Sequence, residues 1–257
     1  MRAIILAAGR GGRLQGVIGE RPKCLARIGD RTLLERQIEA LQAAGITRIT
    51  VVAGYGADQV RQVCPLTVDF VLNTRYASTN SLYSLWLARD LLRDGFVVLN
   101  CDVLFHPQLL DDLLTAQVDD ALLVSARRDG AAYGDEEMKV CIRRGLVRDI
   151  AKTLPEDASD AENIGIARFG PDGAFALVEQ MTRLVSDGQV REWLPRAFAA
   201  VAALRPLHAV DSRGYPWIEI DFPEDYWRAC GDVLPAIEAD RLRATVAPAA
   251  GRTLRHV

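Results

Sequence analysis

The sequence predicts an α/β protein: a Rossmann-like mixed, mostly parallel sheet with helices on both faces, and a small β-rich extension in its second half. Three observations carry this. Short apolar runs alternate with helical periodicities over the first 130 or so residues. Several of those runs end in glycine or a carboxylate, at what become the carboxyl ends of strands, where open α/β sheets bind ligands. Beyond that point the pattern changes to paired short strands around Gly-containing turns.

Taken in order, residues 2–7 read as a strand, and Leu34, Ile38 and Leu41 as one face of a helix ending at Gly45. Ile49 to Ala53 is a strand, followed by Gly54-Tyr55-Gly56 and a short helix from Ala57. Val68 to Leu72 is a third strand, and Leu82, Leu85 and Trp86 begin a helix running to about Arg93. Phe96 to Leu99 is a strand closed by Asn100-Cys101-Asp102, and Pro107 opens the next helix at its first turn, where a missing N–H costs nothing. Met138 to Ile142 and Val147 to Ala151 form a hairpin around Arg143-Arg144-Gly145. Asn163 to Phe169 is a strand, with helices over 172–187 and 190–204. Leu207 to Val210 and Trp217 to Ile220 flank Ser212-Arg213-Gly214, a turn between antiparallel strands, and a last helix starts near Pro223. No repeat or linker divides the chain. It reads as one domain over 1–240, with halves 1–130 and 131–240 and a basic tail over 241–257.

At 257 residues, 49% apolar and 25% charged, the chain has ordinary globular composition. A net charge of −3 without a long basic run gives no sign of a nucleic-acid partner, and none is expected. Five scattered cysteines without C-x-x-C argue against a disulfide framework or zinc site, and predict reduced thiols in a cytoplasmic protein. The three histidines are likewise dispersed. The first apolar run is too short for a signal peptide, and nothing approaches a membrane span. No heptads announce an oligomer.

Chemistry concentrates at three places. Glycines 9, 11 and 12 follow the first strand, where successive N–H groups cradle anionic oxygens. Leu14 excludes the dinucleotide fingerprint, and Gly-Lys-Ser/Thr at Walker spacing is absent. On glycines alone, an ordinary tight turn is an equal reading. Asp102 ends an apolar strand, a poor core position for a carboxylate but a good one for a magnesium ligand. Glu219 and Asp221 share one face of a late strand, and two carboxylates side by side call for a cation.

The string L-A-A-G-R-G-G-R-L followed by R-P-K-C-L resembles the signature of the nucleotidyltransferases that activate sugar phosphates and phosphocholine. The resemblance implies a nucleotide-diphospho-sugar transferase-like fold with 1–130 as the nucleotide half and 131–240 as the acceptor half. It implies that the turn, through Leu6, Ala7, Ala8, Gly9, Gly11 and Gly12, binds a triphosphate. Arg13 contacts the outgoing phosphates, Lys23 stabilises the reacting α-phosphate, and Asp102 and Asp221 hold Mg²⁺. Gly12 replaces the usual serine or threonine, leaving only a backbone N–H there.

Asn80-Ser81-Leu82-Tyr83-Ser84-Leu85-Trp86 resembles a stretch of the phosphocholine cytidylyltransferase branch that lies near base and ribose, implicating Asn80, Ser81 and Ser84. Residues 135–140 and 163–167 also resemble that branch and its phosphonate-activating relatives. On the acceptor side the candidates are Asp135, Lys139, Lys152, Trp217 and Glu219. Trp217, Tyr215, Tyr133 and Trp193 offer a cation–π cage for choline, and Asp135 or Asp157 a partner for a primary amine.

The expected activity is therefore CTP-dependent cytidylyl transfer to phosphocholine, 2-aminoethylphosphonate or a similar small phosphate or phosphonate, with release of pyrophosphate. The alternatives are sugar-1-phosphate nucleotidyl transfer with UTP, GTP or dTTP and, ranked low, a non-catalytic nucleotide sensor on the same fold.

Overall fold

The computed structural model describes residues 1–126 and 137–246, the side chains of 244–246 excepted. Asp135 and Tyr133 lie outside the described residues.

The chain opens with β1 (Arg2–Ala7), α1 (Gln15–Ile18), the ribbon β2 (Arg27–Ile28) and β3 (Arg31–Thr32), and α2 (Leu33–Ala43). It continues through β4 (Ile49–Ala53), α3 (Ala57–Val63), β5 (Asp69–Leu72), α4 (Ser81–Leu87), β6 (Phe96–Asn100), β7 (Val103–Phe105), α5 (Pro107–Thr115) and β8 (Ala121–Ala126). The second half comprises β9 (Lys139–Arg143), β10 (Leu146–Ala151), β11 (Ala161–Phe169), α6 (Pro171–Ser186), α7 (Leu194–Ala202), β12 (His208–Asp211), β13 (Trp217–Glu219), α8 (Pro223–Arg228) and α9 (Leu234–Val246).

One sheet of nine strands runs β5-β4-β1-β6-β11-β8-β12-β10-β9. Its first four strands are mutually parallel, β11 enters antiparallel between β6 and β8, and β12 returns parallel to β8. The expected mixed α/β class holds, and the second half extends the same sheet. β1 shows why it reads as an unbroken apolar run. Ala3, Ile5 and Ala7 pack on one face with Leu34, Leu41 and Leu99, while Ile4 and Leu6 pack on the other with Leu82, Val98 and Phe169. α2 begins at a capping box in which Thr32 and Glu35 bond each other's backbone N–H groups.

Several expectations need correction. Ser212-Arg213-Gly214 does form a turn, with Arg213 and Gly214 at positive φ, but it joins two sheets instead of a hairpin. β12 pairs with β8 and β10, whereas β13 pairs antiparallel with β7 in a separate ribbon. A hairpin between them would strand the apolar edge of β8, which β12 covers in parallel register from His208↔Ala121 to Asp211↔Val124. β7 and β8 themselves were not anticipated. α4 ends at Leu87 and gives way to a 3₁₀ turn over Arg89–Leu91, short of Arg93, and α7 starts at Leu194 behind the N1 proline pattern of Pro195. α9 continues through residue 240, across the expected start of the tail.

Candidate active site

The glycine turn leaves β1 and closes through a hydrogen bond from Leu14 N to Gly11 O of 3.0 Å. Leu14, which excluded the dinucleotide spacing, is fully buried beside Leu33, Leu104 and Ile220 and anchors the turn. Gly11 sits at φ +66°, and a Cβ there would lie 2.6 Å from Lys23 Cβ. Glycine is required both for the left-handed backbone and for the approach of the turn to the lysine. Lys23 follows Pro22 and starts a 3₁₀ turn whose Cys24 and Leu25 enter the core, so its backbone is fixed from below.

Asp102 projects from the bend between β6 and β7. Buried Gln37 of α2 holds that bend, donating to Asn100 O and Val103 O, both at 2.9 Å. The β7–β13 pairing then brings in the late strand. Ile220 N donates to Asp102 O at 3.0 Å, which sets Asp221 beside Asp102 although 119 residues separate them in sequence (221 − 102).

Lys23 lies between the two carboxylates. Its Nζ is 2.8 Å from Asp102 Oδ2 and also bonds Asp221 Oδ1. Arg13 approaches the other Asp221 oxygen at 3.4 Å. Burial works to lower the Lys23 pKa, but the attraction of Asp102 and Asp221 outweighs it and raises the ammonium above its ordinary value. Burial likewise works to raise Asp221, and Lys23 with Arg13 pulls it below the usual carboxylate range. For Glu219 the pull of Lys23 is outweighed. Burial first, then the negative charges of Asp102 and Asp221, push it up to about 8, so at neutral pH it is mostly a protonated carboxyl.

Among the described residues, no three His, Cys, Asp or Glu side chains gather as a self-sufficient metal cage. The donor set nevertheless fits a divalent cation that takes its remaining oxygens from phosphate and water, as Mg²⁺ commonly does. Asp102 and Asp221 present adjacent carboxylates, and buried Asp102 Oδ1 has no hydrogen-bond partner among the described residues.

These groups line one end of a cleft of about 320 Å³. Leu6, Ala8, Gly9, Gly11, Gly12, Arg13, Lys23, Asn80, Ser81, Ser84, Asp102, Lys152, Glu219 and Asp221 all reach it. Three candidates do not. Ala7 turns its side chain into the core, Trp217 packs against the same core from β13, and Lys139 donates to Leu154 O at 3.2 Å. Of the proposed aromatic cage, Trp193 lines the cleft and lies under Lys152 Nζ at 5.1 Å from the ring centroid, while Tyr215 stacks on His106. Asp157 sits in an exposed 3₁₀ turn.

Cleft residues missed from sequence include Asn73, Tyr76, Thr79, Asn100 and Pro195. Asn73 is 1% exposed, and its amide nitrogen donates to Thr79 Oγ1 at 3.0 Å and Ser84 Oγ at 3.1 Å. It fixes two hydroxyls of the cleft wall. Asn73 and Asn100 both stand at carboxyl ends of parallel strands, a rule that applied to Asp102 and would have found them too. Asn80 caps α4 by accepting from Ser81 N, and Ser81 Oγ accepts from Leu194 N at 2.8 Å, tying α4 to α7. Gly165, at φ +85° in a β11 bulge, admits Asn100, whose amide would lie 2.8 Å from any Cβ there.

Residues 3–166 match the model of the MobA-like NTP transferase domain. Over 88% of its length the chain is 26% identical to a CTP:phosphoglutamine cytidylyltransferase of Campylobacter jejuni, 97% of which is covered. It is 33% identical over 87% of its length to a bifunctional IPC transferase and DIPP synthase of Rubrobacter xylanophilus, and spans half of that protein. A choline-phosphate cytidylyltransferase of Streptococcus pneumoniae is 37% identical over 44% of the chain and half of the relative. In structure, the chain resembles the Streptococcus pneumoniae CTP:phosphocholine cytidylyltransferase with a TM-score of 0.73 at 24% identity, covering 89% of this chain and 97% of that one. It resembles the Thermotoga maritima inositol-1-phosphate CTP transferase at 0.75 and 21%, covering 92% and 96%. At these identities the structural likeness speaks to the fold.

Proposed function

Because the chain belongs to the MobA-like NTP transferase domain family, we propose that it is a CTP-dependent cytidylyltransferase that joins CMP to a small phosphorylated alcohol or a phosphonate. The observation that carries this reading is Lys23 held between Asp102 and Asp221 against the glycine turn. A phosphate or phosphonate oxygen of the acceptor attacks the α-phosphorus of the triphosphate, and pyrophosphate departs in line. The nucleophile is already anionic, so the site needs charge neutralisation and alignment more than a base. Lys23 faces the reacting phosphate, Arg13 the departing ones, and the turn N–H groups hold the chain of phosphates. Asp102 and Asp221 would hold Mg²⁺, which would neutralise phosphate charge.

Cytosine is favoured by the names of the relatives from Campylobacter and Streptococcus and of the aminopropylphosphonate-activating synthase of Streptomyces rubellomurinus, 32% identical over 49% of the chain. Lys152 on the cleft wall suits the acceptor's phosphate, and the Trp193 ring suits a cationic head such as choline. The cysteines are free thiols, and no helix among the described residues is long and apolar enough to cross a membrane, which supports a cytoplasmic setting.

A sugar-1-phosphate reading is kept because a mannose-1-phosphate guanyltransferase of Schizosaccharomyces pombe is 26% identical over 88% of the chain. Pyrophosphate release with Mg²⁺ across four triphosphates and a panel of acceptors separates the readings. Turnover with CTP and phosphocholine or 2-aminoethylphosphonate is expected. Turnover confined to another triphosphate with a hexose phosphate would overturn the cytidylyl assignment.

A further inference from the structure

Phe222 is 38% exposed, the residue directly after the late aspartate. Its ring lies against the Arg13 guanidinium, 4.5 Å from the guanidinium carbon to the ring centroid. The same guanidinium stands 3.4 Å from Asp221 Oδ2. Two consecutive residues therefore grip Arg13 of the glycine turn, one through a carboxylate and one through a flat apolar face. A single side chain fixes both grips. Asp225 Oδ2 accepts from Asp221 N at 3.1 Å and from Phe222 N at 2.9 Å, at the start of α8, where Pro223 enforces the helical φ.

Arg13 needs such a support. It is 44% exposed and lies on a loop of glycines, and a long side chain there loses substantial rotamer freedom when it is held in one place. A ring face confines the guanidinium plane without itself occupying an N–H donor. A carboxylate alone would localise the charge and consume donors at the same time.

We propose that Phe222 is a positioning residue that acts through Arg13, pre-orienting its guanidinium at the mouth of the cleft for the oxygens of the incoming polyphosphate. This rests on the reading of Arg13 as a phosphate contact. A purely structural role for Phe222, as an apolar lid on the start of α8, makes a different forecast for the double variant below.

The test is a double-mutant cycle read as the dissociation constant for Mg·CTP by calorimetry, with no acceptor present. Phe222→Leu is expected to weaken binding about fivefold, the size of one exposed cation–π contact. Phe222→Tyr, which keeps the ring face, is expected to stay within about twofold of wild type on the same scale. Arg13→Ala weakens binding by at least as much as Phe222→Leu, and adding Phe222→Leu to Arg13→Ala costs nothing further. Melting curves of the four proteins exclude misfolding as the cause. Full additivity of the two losses, or a Tyr variant as weak as Leu, overturns the positioning role while leaving Arg13 a phosphate contact. Normal Mg·CTP binding by Arg13→Ala overturns the phosphate reading of Arg13, and this inference with it. If wild type prefers UTP, GTP or dTTP, the same cycle is run with that triphosphate, because the ring acts on phosphates and not on the base.

Discussion

In the first half of the sheet, β5, β4, β1 and β6 run parallel and deliver their carboxyl ends to one side, so Gly9, Gly54, Asn73 and Asp102 arrive there by topology alone. The second half reaches the same cleft without that rule. Its sheet strands are mostly antiparallel, and its contributions come from a bulged strand (Asn163 on β11), from the end of a hairpin (Lys152 after β10), from the start of a helix (Pro195 on α7) and from the separate β7–β13 ribbon (Glu219, Asp221). The first half's share of the cleft is thus a property of local chain segments, whereas the second half's Asp221 depends on distant pairing. Asp221 reaches Asp102 only because Ile220 N finds Asp102 O.

The largest expected effect comes from removing the cation that both halves share. Lys23→Ala leaves Asp102 and Asp221 facing one another without their counter-charge and, in the proposed reaction, takes the ammonium from the α-phosphate. Turnover measured by pyrophosphate release should fall about 10²–10³-fold or more, as for removal of other transition-state donors, while far-UV circular dichroism stays that of the wild type. Near-normal turnover would detach Lys23 from the chemistry and with it the idea that the halves meet at this residue.

A smaller effect sharpens the description of the second half, by contrasting two lysines. Lys152 lines the cleft beside Trp193, whereas Lys139 is turned to Leu154 O. Lys152→Met should raise the KM for the phosphorylated acceptor about tenfold, the loss of one charge-assisted hydrogen bond of about 1.5 kcal/mol, with the KM for CTP unchanged. Lys139→Met should leave both constants within about twofold, as expected for a side chain outside the cleft. The reverse ranking would mean that the acceptor lies nearer β9 than the cleft wall.

The same contrast governs what could be read without a structure. The glycine turn and Asp102 were legible because each directly follows its strand, and Lys23 because it stands in the R-P-K-C-L string. Leu14 was informative twice, once by excluding a competing motif and once, in the fold, as the anchor of the turn. Glu219 and Asp221 were legible as a same-face pair, but their strand was given the wrong partner. Its three residues pair with three others right after Asp102, a ribbon too short to show a period. β8 escaped notice because it is buried on both faces between β11 and β12, and its apolar run lacks alternation and flanking glycine. Asn73 shows the remaining limit. Its place after a predicted strand was within reach of the strand-end rule, but that its amide orients two hydroxyls is silent in sequence.

The smallest effect separates the ion pair shared by the two halves from Glu162 of the second half, by the sign of the pH response. Where the halves meet, Lys23 holds Asp221 below its ordinary value of 3.8. The stability it contributes is present above that value and is lost as pH falls through the depressed pKa of the folded state. On the acceptor side, burial and then the charge of Glu137 push Glu162 of β11 up to about 7 from an ordinary 4.5. Between those two values the folded chain keeps a proton that the unfolded chain has released, so stability declines as pH climbs through that window and levels off above it. Glu162→Gln preserves the shape and cannot ionise. Melting temperatures taken from pH 5 to 8 should therefore fall less steeply in the variant than in the wild type, with the two curves closest at the acid end. Parallel curves would show that Glu162 ionises as freely in the fold as out of it.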